Sequence, residues 1–333
     1  MTAATYDVLG IGNAIVDILA KAEDGFLSEQ GMTKGAMALI DEARAAAIYQ
    51  AMGPAIEISG GSAANTIAGL ADLGARAAFV GKVRNDQLGH VFSHDIRAAQ
   101  VAFETHAASI GPATARCYVL VSPDGERTMN TYLGAAQDLS PADIDPAQIA
   151  ASSIVYLEGY LWDPANAKEA FLKASQIAHD NKRSVALTLS DAFCVGRYRD
   201  EFLDLIRSRT VDLVFANEAE LASLYQTDDF DKALAQLRNE ASLAVVTRSE
   251  KGCVVVSKDK VTAVPAFPVK QVVDTTGAGD LFAAGFLFGT VRGLSHEQCG
   301  RLGALAAAEV IQHIGARPQT SLKALAKDAG LPV

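Results

Sequence analysis

The second half of the chain sets the fold class. Four short apolar runs, 154–157, 184–189, 213–216 and 243–247, alternate with single stretches of helical spacing at 165–180, 199–208, 218–225 and 230–240. Strands that read as continuous apolar runs are buried on both faces, and single-helix crossovers between them make parallel pairs. The pattern predicts an α/β protein of three αβα layers with a mainly parallel central sheet. Ligands of such sheets gather at the carboxyl ends of the strands, so the residues just after each run are the ones to read for chemistry.

The most informative of these places lies near the end of the chain, at Asp274-Thr275-Thr276-Gly277-Ala278-Gly279-Asp280. It follows an extended Pro/Val-rich segment (264–273) and runs into an apolar, small-residue helix pattern. A Gly-x-Gly turn at a helix start leaves backbone N–H groups without carbonyl partners, and with the helix dipole they suit an anion. Asp280 falls on the first turn, where it can cap the helix or face the same cavity. In the second case the amides would hold a migrating phosphoryl charge while the carboxylate takes a proton from an alcohol.

The first half carries two further turns. The strand expected at 6–11 ends in Gly10-Ile11-Gly12-Asn13-Ala14-Ile15, which lacks the third glycine of a dinucleotide fingerprint and continues as an alternating strand containing Asp17. That carboxylate either faces outward or is aimed at a ligand. At 57–65 the sequence Glu57-Ile58-Ser59-Gly60-Gly61-Ser62-Ala63-Ala64-Asn65 leads into a helix to Leu73, and its small residues allow a ligand close to the backbone. A plain strand-to-helix turn explains it as well. A buried strand is expected at 77–83 and an amphipathic helix at 86–98, whose His90 and His94 read as solvated for want of a third ligand. From 101 to 137 the pattern changes to short strands, with 116–122 and 127–133 alternating around the turn Pro123-Asp124-Gly125-Glu126. A flap of this kind suits a lid that excludes water. Arg127 at its base either reaches phosphate or lies on the surface, and spacing alone favours the surface.

After the third apolar run comes Asn217-Glu218-Ala219-Glu220, with Asn217 and Glu220 one turn apart. The pair suits hydrated Mg²⁺ beside phosphates, or simply a capping Asn with a first-turn Glu. No Walker A sequence and no protein-kinase loop is present, so ATP, if used, would place its phosphates at the 277–280 turn.

Asp-Thr-x-Gly-Ala-Gly-Asp resembles the C-terminal signature of the ribokinase (PfkB) family of carbohydrate kinases, and Gly60-Gly61 with Asn65 resembles its N-terminal Gly-Gly-x-x-x-Asn. Stretches at 10–17, 132–136 and 187–193 resemble the adenosine kinase branch, and the likeness spans about 7–318. The resemblance implies a single ribokinase-like domain over 1–333 with a small β-sheet lid from about 14–40 and 101–137. It implies transfer of the γ-phosphoryl of Mg-ATP to the 5′-hydroxyl of a nucleoside, adenosine first. The alternatives are a sugar kinase of the same fold and a non-catalytic binding protein. Carried over, Asp280 is the base, with Gly277, Ala278, Gly279 and Arg127 at the transferred group. Asp17 would bind the ribose hydroxyls and Asn13 the nucleoside, Gly61, Ser62 and Asn65 would hold the ribose, and Leu133 and Ala135 would flank the base. Asn217, Thr247, Thr275, Gly277 and Gly279 would serve the nucleotide, with Mg²⁺ held through water by Asn217 and Glu220. The alanine-rich helix 302–311 would pack beside the adenine of ATP. A monovalent cation such as K⁺ under the 274–279 loop, and the choice of monomer or homodimer, stay open. Two departures stand out: Arg248-Ser249 after Thr247 replaces a more permissive sequence, and Arg116 replaces a small lid residue.

Composition excludes several other classes. The 333 residues are 50% hydrophobic and 20% charged, ordinary for a globular protein, and the net charge of −10 disfavours a nucleic-acid surface. Cys117, Cys194, Cys253 and Cys299 form no C-x-x-C pair and read as buried thiols of a reducing compartment. Without a signal-like start or a run of roughly 18 apolar residues, a cytoplasmic protein with no membrane contact is expected.

Overall fold

The computed structural model describes residues 4–333. Fourteen strands among them form two sheets. The larger has nine strands: β1 (Tyr6–Ile11), β5 (Ala77–Val80), β6 (Val101–Phe103), β9 (Ser152–Glu158), β10 (Ser184–Thr188), β11 (Leu213–Asn217), β12 (Leu243–Thr247), β13 (Cys253–Ser257) and β14 (Val261–Val264). Their order is β14-β13-β12-β11-β10-β9-β1-β5-β6, parallel apart from the antiparallel β13 and β14 at one edge. The smaller sheet is β3 (Met37–Leu39), β8 (Arg127–Tyr132), β7 (Ala115–Val121), β2 (Ile15–Lys21) and β4 (Ala55–Gly60), in that order.

Alternation along the large-sheet strands sends Val8 and Phe79 into one core and Leu9 and Ala78 into the other. The first core is shared with helices Ser62–Asp72, Ala278–Val291 and His296–Val310, and the second with Ala165–Asp180, Ala192–Arg207 and Glu218–Tyr225. These are the three layers the sequence pattern predicts. The chain runs from β1 outward to β5 and β6 on one side and later from β9 to β14 on the other. The strand order therefore reverses between β1 and β9, and a crevice opens at their carboxyl ends.

Several boundaries differ from expectation. β6 pairs with β5 in the large sheet while β7 and β8 lie in the small one, so the 101–137 segment is divided between the sheets; β4, outside both expected lid segments, joins the small sheet as well. The β13–β14 hairpin comes before the extended 264–273 segment, which itself adds no strand after Val264. Helix Ala192–Arg207 begins seven residues before the expected start and bends at Tyr198, where the backbone is non-helical (φ −121°, ψ 25°). All four cysteines are buried free thiols. No helix among the described residues is long and apolar enough to cross a membrane. His90 and His94 stay exposed, against Asn85 and Asp95.

Candidate active site

A cleft of about 1250 Å³ lies between the carboxyl edge of the large sheet and one face of the small sheet. Single-ligand pockets occupy about 300–1,000 Å³, so this one has room for two substrates end to end. Of the residues singled out in the sequence, Asn13, Asp17, Gly61, Ser62, Asn65, Arg127, Leu133, Asn217, Glu220, Thr247, Thr275, Gly277, Ala278, Gly279 and Asp280 all border it. Ala135 does not: it is fully buried behind the wall, because the turn after Leu133 tightens into a 3₁₀ helix.

The turn before helix Ala278–Val291 is built around Gly277, whose φ of +79° is left-handed. A Cβ there would also lie 2.8 Å from Ala316. Gly277 offers no side chain to cap the helix, and the N–H groups of Gly277, Gly279 and Asp280 find no protein acceptor among the described residues. Ala278 is different, since its N–H is spent on the Thr275 carbonyl at 3.2 Å. Nothing lies within 4 Å of where a Cβ on Gly279 would point, so the amides face open space. Asp274 anchors the turn from below. Its carboxylate accepts from the N–H of Thr276 (3.0 Å) and of Gly315 (3.0 Å) and pairs with Arg127 at 2.8 Å. Arg127 is thus a buried cation tying the small sheet to the turn, not the surface arginine that spacing suggests; its Nη1 also reaches Thr276 Oγ1 at 3.3 Å.

Asp280 does not cap its own helix. Its carboxylate accepts from Ser62 Oγ (2.6 Å) and Asn65 Nδ2 (3.1 Å), both on helix Ser62–Asp72. Burial raises its pKa, while these two hydrogen bonds and the cation of Arg317 draw it back down. Asp17, on β2, has no hydrogen-bond partner among the described residues and points into the cleft; burial pushes it up to about 7 against the pull of Arg317 and Arg127. A free carboxylate in a recess is an acceptor waiting for donors such as hydroxyls.

Two residues of the site are invisible in the sequence reading. Glu158, at the end of β9, bridges the switch point: it accepts from Asn13 Nδ2 (2.6 Å), Asn13 N (3.3 Å) and Ala63 N (2.8 Å). Burial lifts it to about 7, with those hydrogen bonds opposing. Arg317, in the loop after helix His296–Val310, donates to Asn65 Oδ1 (2.9 Å) and Ser59 Oγ (3.2 Å). The Gly-Ala-Arg-Pro sequence around it carries no signal of its own. Loop residues 314–319 reach the cleft, whereas the alanine-rich helix before them is buried away from it.

At the other end of the cleft, Asn217 and Glu220 form a reciprocal capping box: Glu220 N donates to Asn217 Oδ1 (2.8 Å), while Asn217 N and Nδ2 donate to Glu220 (3.0 and 2.6 Å). The capping reading of this pair is therefore realised, and burial holds Glu220 up at about 7. Arg248 turns from the cleft onto Glu218 (2.7 Å) and the Phe230 ring. Arg116 lies on the far face of β7, stacked on Tyr132 at 5.2 Å, and leaves the cleft wall to Cys117 and Val119.

A carboxylate fixed beside unpaired amides, facing a second free carboxylate, is the arrangement of a kinase for alcohols. The model of the pfkB family carbohydrate kinases matches residues 57–323, so the chain belongs to this family and is a phosphotransferase with an alcohol acceptor. It is similar in structure to the adenosine kinase of Sinorhizobium meliloti (56% identity, TM-score 0.92, covering 98% of this chain and all of that one). A probable sugar kinase from Rhizobium etli CFN 42 is comparably near (54%, TM-score 0.93, 99% and 100%). Adenosine kinase 2 of Arabidopsis thaliana is 27% identical over 94% of this chain and 96% of its own length.

Proposed function

We propose that the protein transfers the γ-phosphoryl group of Mg-ATP to the 5′-hydroxyl of a nucleoside, with adenosine the acceptor. The observation that carries this reading is Asp280, turned from its own helix onto Ser62 and Asn65 at the edge of an open amide turn. In the transfer the 5′-oxygen bonds to the γ-phosphorus, the bond to the β-γ bridging oxygen breaks, ADP leaves, and Asp280 takes the hydroxyl proton. A pKa raised by burial makes Asp280 a stronger base than an exposed carboxylate. The amides of Gly277 and Gly279 would steady the charge on the moving group, and Arg127 has N–H donors beyond those given to Asp274 and Thr276. Asp17 and Asn13 would take the ribose hydroxyls, with Gly61, Ser62 and Asn65 on its other side. The small sheet would act as the lid of a single domain, closing over both substrates.

The acceptor class rests on the lid wall. Met37, Leu39, Ile56 and Ile58 border the cleft with 46, 53, 71 and 37% of their surface exposed. An exposed apolar face of this extent suits a flat base, whereas a free sugar would want polar partners. Adenosine kinase relatives align over nearly the whole chain. A sugar kinase remains the second reading, supported by a probable fructokinase of Arabidopsis thaliana (29% identity over 70% of this chain) and the Rhizobium protein.

The nucleotide end would use Asn217, Thr247 and Thr275. The Asn217–Glu220 box still fits a hydrated Mg²⁺, because a carboxylate has lone pairs beyond the two the cap occupies. When bound, Mg²⁺ would neutralise phosphate charge there. A K⁺ ion under the 274–279 loop would draw chiefly on backbone carbonyls, since Asp274 already accepts two N–H bonds and pairs with Arg127. The test is a thermal-shift and product-formation panel of adenosine, ribose and fructose with and without Mg-ATP. Stabilisation by adenosine with AMP formed supports the reading; response to fructose alone overturns it.

A further inference from the structure

We propose that Arg317 is a positioning residue for the base: it fixes the side-chain amide of Asn65 so that its NH₂ group can only face Asp280. The inference rests on the proposed role of Asp280. Arg317 Nε donates to Asn65 Oδ1 at 2.9 Å, and Asn65 Nδ2 donates to Asp280 Oδ2 at 3.1 Å. The orientation follows from chemistry alone, since a guanidinium has only donors and a carboxylate only acceptors. An amide between them has one arrangement that satisfies both ends. Flipped, it would set an NH₂ against the guanidinium and a carbonyl against the carboxylate.

The fork of Arg317 is itself aimed. Nη2 donates to Ser59 Oγ at 3.2 Å, and the Ser59 N–H donates to Asp95 Oδ2 at 3.1 Å. Arg317 thus links β4 of the small sheet and helix Ser62–Asp72 to Asp280 on helix Ala278–Val291. The base needs this support because Ser62 alone holds only one of its two oxygens. The planar guanidinium suits the two diverging contacts better than a lysine ammonium would.

The cation also acts through space. Asp280 is faced by Arg317 from the C-terminal loop, by Asp17 from β2, by Glu158 from the end of β9, and by Tyr156 and Tyr160. Arg317 is the one cation among these groups. Without it Asp280 would hold its proton to higher pH, next to two other acids, and be ionised in a smaller fraction of molecules.

Two measurements test this. In unliganded protein, a ¹³C carboxyl titration of Asp280 should move up by about one pH unit in Arg317→Gln and return toward the wild-type midpoint in Arg317→Lys. In turnover, Arg317→Gln should lose about 10²-fold in kcat, with the KM for ATP within about threefold and the acid limb of the pH profile shifted upward. Its effect should also be non-additive with that of Asn65→Ala, since the two residues form one chain of contacts. An unmoved Asp280 midpoint, or strict additivity with Asn65→Ala, overturns the proposal. The titration needs no substrate: a shifted midpoint in a protein that never phosphorylates adenosine would sink the nucleoside-kinase reading and leave the placement of Arg317 standing.

Discussion

Two helix starts in the cleft carry an acid at the same place and use it differently. Glu220 and Asp280 are each the third residue of a helix that follows the edge of the cleft, Glu218–Tyr225 and Ala278–Val291. Before the first stands Asn217, whose side chain caps the helix and draws Glu220 back into a closed box. Before the second stands Gly277, which has nothing to cap with and leaves the amides open and Asp280 free to cross to another helix. The N-cap residue decides whether the acid is tied to its own helix or is free to cross to another. The first arrangement is worth about 1 kcal/mol of helix stability; the second gives that up for an anion site.

The largest effect that separates the two acids is kinetic. Asp280→Asn, which keeps the shape and loses the base, should lower kcat by about 10³-fold with little change in the thermal midpoint. Comparable steady-state rates for the variant and the wild type would put both acids in the structural class. Next comes the glycine. Gly277→Ala forces a Cβ onto Ala316 at a left-handed φ and should cost about 1–3 kcal/mol in denaturant unfolding, with loss of turnover.

A smaller effect concerns pH. Glu220 is held at about 7 by burial, above its ordinary 4.5. Between those values the folded protein binds the proton more tightly than the unfolded chain does. The stability from this group is therefore complete below about pH 4.5, falls as pH rises through 7, and is flat beyond. Glu220→Gln removes the titration, so its stability relative to wild type should climb by on the order of 1 kcal/mol between pH 5 and pH 8. A gap in melting temperature that stays constant with pH would show that the capping box does not bury its acid as described. The smallest effect belongs to Arg116→Ala, on the far face of β7: about 0.5–1 kcal/mol from the lost ring contact and an unchanged KM for adenosine.

The comparison also explains what the sequence reveals. Asp280 and its glycines are contiguous, and the missing cap at Gly277 is readable as a missing side chain. The Asn217–Glu220 spacing is readable too, but it has two meanings, and only the observed hydrogen bonds show that the cap is formed. Glu158 and Arg317 act across 145 and 252 residues of chain, on Asn13 and Asn65 respectively. A lone Glu ending an apolar strand and an Arg before a proline carry no local signal for such contacts. The sheets divide in the same way. Apolar runs buried on both faces mark the large sheet one strand at a time, whereas β4 looks like a strand leading into a helix until its pairing with β2 is known. Arg127 reads as exposed because its partner, Asp274, lies in the distant turn.

The most direct measurement is a crystal structure with adenosine and a non-hydrolysable ATP analogue bound. The γ-phosphate should sit within hydrogen-bonding distance of the Gly277 and Gly279 N–H groups, with the adenosine 5′-oxygen on Asp280 and the ribose hydroxyls on Asp17. Terminal phosphates held elsewhere in the cleft, with Asp280 still occupied only by Ser62 and Asn65, would contradict it.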